Sequence, residues 1–264
     1  EKSVGRENLE LDFFGGEPLM NFDVVKQTVA YARSKEKEYG KNFRFTITTN
    51  GMLLDDDAID FINKEMYNVV LSIDGRKEVN DRMRVRADGN GSYDRIVKNF
   101  KKLVEKRGDK EWYVRGTYTK YNLDFSEDVF HLYDQGFDQI SVEPVVEDPK
   151  VEYAITEEDL DQICKEYDRL ADRLMELKKN GGFLNFFHFM IDLEQGPCVI
   201  KRLRGCGSGN EYVSITPDGD IYPCHQFVGH EEYCMGNIEE GTFNEEIKKE
   251  FAGAVEAVAS TGGQ

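Results

Sequence analysis

Short apolar runs and helical apolar stripes alternate along the first half of the chain. Leu11-Asp12-Phe13-Phe14 reads as a strand that ends in Gly15-Gly16-Glu17-Pro18, where the proline bars further pairing. Asn21 then reads as the N-cap of a helix with Phe22, Val25, Val29 and Ala32 on one face. Residues 43–49, aromatic and β-branched, predict the next strand, closed by Asn50-Gly51. A helix from about Asp55 carries Ala58, Ile59 and Ile62, and residues 68–73 give a third strand ending at Asp74-Gly75. Beyond a polar loop, Ser92 reads as the N-cap of a helix with Ile96, Val97, Phe100, Leu103 and Val104 inward, stopped by Gly108. Residues 112–118 predict a fourth strand. Val129, Leu132 and Tyr133 mark a helix closed by Gly136, and Gln139–Pro144 a fifth strand. So regular an alternation implies right-handed βαβ units and a parallel sheet, open or curled into a barrel.

The pattern breaks at Glu147-Asp148-Pro149. Thr156 then caps a long helix bearing Leu160, Ile163, Tyr167, Leu170, Leu174 and Leu177, with Cys164 beside the stripe and read as a core residue. The aromatic run 183–189 reads as packing, and His188 within it as a satisfied core histidine. From Gly196 the character changes, which sets a boundary near residue 195. Residues 211–216 alternate, meet the turn Pro217-Asp218-Gly219, and return along residues 221–224. This hairpin holds Cys206 just before its first strand and Cys224 at its far end. Two thiols brought together suggest a metal or cluster site, although two ligands do not complete one.

A net charge of −17 over 264 residues excludes the basic stripe of a nucleic-acid surface, and argues against an anionic membrane as partner. No apolar run is long enough to span a bilayer and no signal-peptide pattern opens the chain. The five cysteines are an odd number and four cluster late, which fits metal ligands in a reducing cytoplasm better than a disulfide framework. The most chemically suggestive stretch is Gly15-Gly16-Glu17, on a strand-to-helix turn at the sheet edge where ligands bind. Glycines let a ligand approach the backbone, and Glu17 offers a negative charge to an ammonium or hydroxyl. Taken alone, such a stretch is most often only a turn.

The ordered set is more specific. Gly15-Gly16-Glu17-Pro18, Thr49-Asn50-Gly51, Ser72-Ile73-Asp74-Gly75 and Asn80-Asp81-Arg82-Met83-Arg84 resemble the radical S-adenosylmethionine enzymes, at the strand ends expected of peptide-modifying members. Cys206, then Gly219 with Cys224 five residues on, resembles the opening of the SPASM domain, which carries auxiliary iron–sulfur clusters in those enzymes. Closer still, residues 13–19, Gly196-Pro197-Cys198, Gly205-Cys206-Gly207-Ser208-Gly209 and residues 222–229 look like the maturases that form thioether cross-links in SCIFF peptides. The resemblance covers nearly the whole chain and fades after about Phe251.

The resemblance implies an α/β fold: a partial (β/α)6 TIM-like barrel lacking its first strand over residues 1–195, then the start of a small α+β SPASM domain with a β-hairpin over 196–264. It implies S-adenosylmethionine and 4Fe–4S clusters as cofactors. The backbone at Gly15 and Gly16 and the Glu17 carboxylate would receive the methionine amino group. Ser72, with Asp74, would hydrogen-bond the ribose, and Arg84 would pair bidentately with the methionine carboxylate. Asn50 would lie beside this site and Glu143, with Pro144, would approach the adenine. For Asn50 and Asp74 a turn or cap is an equally good reading. Cys206 and Cys224 would bind the first auxiliary cluster, with Cys198 the next candidate and Cys234 read as strand packing. No catalytic acid or base is assigned.

By the same resemblance a 5′-deoxyadenosyl radical would take hydrogen from a peptide α-carbon, where a cysteine sulfur closes a thioether. The partners would be a ribosomally made, cysteine-rich precursor peptide and an electron donor such as flavodoxin or ferredoxin. Two departures stand out. The family's CxxxCxxC loop, which should precede Gly15, is absent, as are the later SPASM cysteines, and residues 252–264 are rich in Ala, Gly and Ser. The expectation is a piece of a longer enzyme, with a degenerate paralogue as the other possibility. Rival readings are an anaerobic sulfatase maturase, another SPASM maturase, or a non-catalytic S-adenosylmethionine- or peptide-binding module. An aldolase-like barrel with structural zinc would need a Schiff-base lysine or metal triad at strand ends, and the sequence offers neither.

Overall fold

Six parallel strands carry the first part of the chain: β1 (Asn8–Phe13), β2 (Asn42–Thr49), β3 (Asn68–Ser72), β4 (Tyr113–Tyr118), β5 (Gln139–Pro144) and β6 (Asn185–Phe186). Their spatial order is their sequence order. The structure, a computed structural model, describes residues 5–190 and 207–251. The chain divides into two compact units, residues 1–190 and 191–264.

Because every crossover steps to the next strand in the same direction, right-handedness puts all connecting helices on one face. These are α1 (Phe22–Tyr39), α2 (Asp56–Glu65), the short α3 (Lys77–Met83), α4 (Tyr93–Glu105), α5 (Phe125–Asp134) and α6 (Leu160–Lys179). The covered face is apolar: Phe45, Ile47, Val69, Leu71, Val114, Ile140 and Val142 pack against Val29, Ile59, Ile62, Phe100, Leu103, Val129 and Leu132. Each such side chain contributes about 1.5–3 kcal/mol by leaving water. Pleat alternation sends the intervening residues to the other, concave face. Those residues are mostly polar: Glu10 and Asp12 from β1, Arg44, Thr46 and Thr48 from β2, Ser72 from β3, Arg115 and Thr117 from β4, Ser141 and Glu143 from β5. A closed (β/α)8 barrel fills that space with branched apolar layers. This partial barrel instead presents a surface suited to a ligand. Burial on that face pushes the Asp12 carboxyl up, with neighbouring Glu10 adding to the shift against a hydrogen bond from Thr46.

Several local expectations need correction. Asn185–Phe186 adds a sixth strand to the sheet, although the aromatic run around it reads only as packing. His188 is half-buried and meets the Tyr167 hydroxyl through Nδ1 at 3.3 Å. Cys164 is exposed rather than in the core, because it falls one position beyond the buried Ile163 on α6. Asn21 makes no capping bond; a 3-10 turn, Pro18–Asn21, precedes α1, and Glu17 caps that turn. Ser92 is the N-cap position of α4, but its side chain makes no capping bond either. Its hydroxyl donates to the Arg84 carbonyl, and Asp81 accepts the Tyr93 N–H instead. Thr156 and Asp159 form a capping box on the turn that leads into α6.

In the second unit, β7 (Ser214–Ile215), β8 (Asp220–Tyr222) and β9 (Gly236–Asn237) make an antiparallel sheet. The expected hairpin is present: Ser214 pairs with Tyr222, and Gly219 N–H closes the Pro217-Asp218-Gly219 loop on the Thr216 carbonyl at 3.0 Å. The Asn237 amide ties β9 to the Asp218 carbonyl and the Asp220 carboxylate, both at 2.9 Å. Met235 is buried, and Phe227, Tyr233 and Phe251 pack edge to face. Among the described residues no helix is long and apolar enough to cross a membrane.

Candidate functional site

The C-terminal edge of the sheet gathers the candidate residues of the first unit. Gly15 holds φ +134°, a conformation that favours glycine, and at neither Gly15 nor Gly16 would a Cβ meet any atom within 4 Å. The turn after β1 is therefore open to a close-approaching ligand. Glu17 folds over toward β2: Oε1 accepts Leu19 N–H at 3.1 Å and the Thr49 hydroxyl at 2.9 Å, and Oε2 accepts Asn50 N–H at 2.7 Å. A carboxylate has about four lone-pair sites. Two are spent on joining two strand ends and one on capping the turn at Pro18, and one stays open on Oε2.

Asn50 is itself a turn former, its side-chain oxygen accepting Met52 N–H at 3.0 Å. With Arg84 it lines a cleft of about 590 Å³. The other walls come from Met52, Ser92, Arg95 and the loop Val85–Asp88. Arg95 has no ion-pair partner among the described residues, whereas Arg86 is paired with Asp88.

Beyond β3 the loop is a single hydrogen-bonded unit. Arg84 donates Nε and Nη2 to the two Asp74 oxygens, both at 2.8 Å. Asp74 also accepts Thr117 N–H at 3.0 Å, and its side chain is only 4% exposed. Asn80, buried, donates to Ser92 Oγ, and its carbonyl holds Arg84 N–H at 2.7 Å. Nearby, Arg76 chelates Asp124 and the fully buried Asp128. These two carboxylates hold the Arg76 guanidinium well above its ordinary value. Burial pushes Asp128 up, against the opposing pull of Arg76.

The structure thus treats the expected ribose pair differently. Ser72 Oγ has no hydrogen-bond partner among the described residues. Asp74 is buried and spent on Arg84 and β4, so a ribose contact from Asp74 is not what this geometry offers. Glu143 lies on the concave face, where Oε2 accepts Arg115 Nη2 at 2.6 Å and Oε1 accepts Ser141 Oγ at 3.2 Å. Arg115 escaped the sequence reading. It is the register partner of both Ser72 and Ser141, and alternation within β4 would have put it on this face. Gly116, also overlooked, lets the loop after β3 cross β4: a Cβ there would sit 2.6 Å from the Ile73 carbonyl oxygen.

Of the thiols, Cys224 is buried at the end of β8, and its Sγ accepts Gln226 N–H at 3.3 Å. Cys198 and Cys206 lie outside the described residues. The loop that follows Cys206 is described, however. Gly209 N–H and Ser208 Oγ both donate to the Pro223 carbonyl, at 2.9 and 3.0 Å, tying that loop to the residue before Cys224. Cys234 is half-buried between a 3-10 turn and β9, not inside a strand, and its thiol points to the Gly236 carbonyl.

A singly wound partial barrel, polar on its concave face and carrying open glycine, carboxylate, hydroxyl and guanidinium groups at one edge, defines an α/β ligand-binding unit. Comparison with known proteins narrows the class. Residues 9–129 match the profile of the Radical SAM superfamily, and residues 206–255 match SPASM, the iron-sulfur cluster-binding domain. Those families bind S-adenosylmethionine and 4Fe–4S clusters.

Similar sequences include a cysteine-type anaerobic sulfatase-maturating enzyme of Clostridium novyi (strain NT), 27% identical over 90% of this chain and 64% of that protein. A serine-type anaerobic sulfatase-maturating enzyme of Bacteroides thetaiotaomicron is 26% identical over 89% of this chain and 60% of its own length. The chain thus spans less than two thirds of these relatives. The solved structure of native anSMEcpe with bound AdoMet and Kp18Cys peptide superposes with a TM-score of 0.80, at 20% identity, over 97% of this chain and 72% of that one. At that identity the likeness speaks for the fold.

Proposed function

We propose that this chain is the S-adenosylmethionine-holding and auxiliary-cluster portion of a radical S-adenosylmethionine peptide maturase. The observation that carries the reading is the set of unspent groups at one sheet edge. Open backbone at Gly15 and Gly16 and the remaining lone pair of Glu17 suit an ammonium. The Ser72 hydroxyl suits a ribose, and the remaining N–H groups of Arg84 suit a carboxylate. Those are the polar parts of S-adenosylmethionine, and they are offered at or beyond the ends of two strands, β1 and β3. When bound, S-adenosylmethionine with its 4Fe–4S cluster supplies hydrogen-abstracting radical chemistry, while the chain's own residues supply position and electrostatics. The 264 residues contain no CxxxCxxC, so no residue here is assigned to the catalytic cluster. Cys206 and Cys224, with Cys198 as the next candidate, are assigned to an auxiliary cluster. The ties from Ser208 and Gly209 to Pro223 support their convergence.

The substrate we infer is a cysteine-rich ribosomal peptide of SCIFF type. In the product one S–H and one Cα–H bond give way to a single S–Cα bond, a two-electron oxidation of the peptide. The local sequence around Cys198, Cys206 and Cys224 supports this choice. A second reading, oxidation of a sulfatase cysteine or serine, is favoured by the likeness to sulfatase-maturating enzymes of both types. An electron donor such as flavodoxin or ferredoxin and a cytoplasmic setting complete the proposal. The test uses the full-length protein, reconstituted anaerobically with iron and sulfide and given each peptide separately. A SCIFF peptide that loses two hydrogens and gains a sulfur-to-α-carbon link in fragmentation spectra supports the reading. Conversion of the sulfatase peptide alone overturns the SCIFF choice, and formation of neither product overturns the maturase.

A further inference from the structure

Arg84 and Asp74 are read separately in the sequence as ligand contacts, yet the structure joins them in one ion pair whose carboxylate is buried. A guanidinium carries five N–H groups arranged as two forks. The side fork, Nε with one hydrogen of Nη2, is filled by Asp74 through two bonds of 2.8 Å. The end fork, Nη1 with the second hydrogen of Nη2, makes no bond among the described residues. The Arg84 side chain remains 31% exposed and lines the cleft beside Asn50, whereas its partner Asp74 is 4% exposed. Asp74 is in turn anchored to β4 by Thr117 N–H at 3.0 Å, and the Arg84 carbonyl is held by Ser92 Oγ at 2.7 Å.

A flexible arginine loses rotamer freedom when it binds, and a side chain already fixed from behind loses less. We propose that Asp74 is a positioning residue: it holds Arg84 by its side fork so that the end fork stands ready for a ligand carboxylate in the cleft. This rests on the S-adenosylmethionine reading above. It replaces the ribose contact expected of Asp74 with a role exercised through Arg84. The buried carboxylate also limits which anion the arginine can meet, since only one fork remains to be filled.

Equilibrium titration of the purified protein with S-adenosylmethionine and with its decarboxylated analogue, which keeps the adenosine, sulfonium and amine, tests the assignment. Wild type binds S-adenosylmethionine the more tightly of the two. Asp74→Asn weakens S-adenosylmethionine about tenfold, the equivalent of one charge-assisted hydrogen bond, and leaves the analogue within about twofold. Arg84→Ala shows the same selectivity. In the Arg84→Ala background, Asp74→Asn costs nothing more, because its effect passes through Arg84.

Equal losses for both ligands would mark Asp74 as a general structural residue and overturn the proposal, as would unchanged S-adenosylmethionine affinity or additive losses in the double variant. Should Asp74→Asn alone fail to fold, the double variant, which leaves no buried charge unpaired, is compared with Arg84→Ala instead. A further loss of S-adenosylmethionine affinity there overturns the proposal, and no further loss sustains it. Wild type that binds neither ligand overturns the underlying reading and the assignment with it. Wild type that binds both equally removes the carboxylate contact alone.

Discussion

At the scale of single residues, two glycines with opposite surroundings separate folding from binding. A Cβ at Gly116 would lie 2.6 Å from the Ile73 carbonyl oxygen and 3.0 Å from Asp74 Cα. Both are backbone atoms, so the loop after β3 itself must move. Gly116→Ala is expected to cost about 1–3 kcal/mol, read as a lower urea midpoint, and to weaken S-adenosylmethionine binding as well. A Cβ at Gly16 would meet open space, and Gly16 does not hold a positive φ. Gly16→Ala is therefore expected to leave stability within about 0.5 kcal/mol while still lowering affinity, because the new methyl group occupies the ligand's approach. Stability and affinity falling together at Gly16, or neither changing at Gly116, would contradict these assignments.

Among the elements, the entry to α6 is set by a short polar device. Asp159 Oδ2 accepts the Thr156 N–H at 2.9 Å and the Thr156 hydroxyl at 3.1 Å. The backbone bond from Thr156 is the main reason its carboxyl is held below the ordinary aspartate value of 3.8, with Lys120 adding a smaller pull. A folded value below the unfolded one means that the unfolded chain binds the proton first as pH falls. The contribution is therefore fully present above pH 3.8 and is lost as pH falls through the depressed folded value. Asp159→Ala should lower the melting temperature at neutral pH, and the gap to wild type should narrow steadily below pH 3.8. A gap that grows on acidification would reverse the sign of this argument. α4 offers a contrast, since its first N–H group, that of Tyr93, is served by Asp81 of α3, 12 positions earlier.

For the whole molecule, the two units divide the proposed chemistry: ligand groups at the sheet edge of the first, thiols around the hairpin of the second. Auxiliary-cluster ligands can be removed without touching the S-adenosylmethionine groups. Full-length protein with Cys206→Ala and Cys224→Ala together, reconstituted anaerobically, should lose part of its iron and sulfide and should form no thioether. It should still produce 5′-deoxyadenosine from S-adenosylmethionine. Undiminished iron with thioether still formed would exclude these two thiols as cluster ligands. Loss of 5′-deoxyadenosine as well would mean that the sites are not separable.

Periodicity alone determined the succession of strands and helices, because apolar spacing of two or 3.6 residues is a local property of the chain. It located all five longer strands, the start of α2 near Asp55 and the Pro217-Asp218-Gly219 hairpin. It also brought Gly15, Gly16, Glu17, Asn50 and Ser72 to strand ends, since each follows an apolar run closely, whereas Arg84 closes α3, the short helix beyond β3. What it left undecided was which polar groups spend themselves on one another. The bond from Asp74 to Arg84 spans 10 positions and that from Glu17 to Thr49 spans 32, and neither is implied by any local pattern. Asn185–Phe186 became a strand only because β5 offered an unpaired edge, two residues being too few to show a period. Cys164 lies one position beyond Ile163 on α6, and which positions of that helix turn inward was fixed by the neighbours it packs against. Apolar order is written along the chain, while hydrogen-bond partners and exposure depend on distances in space that only the folded sheet sets.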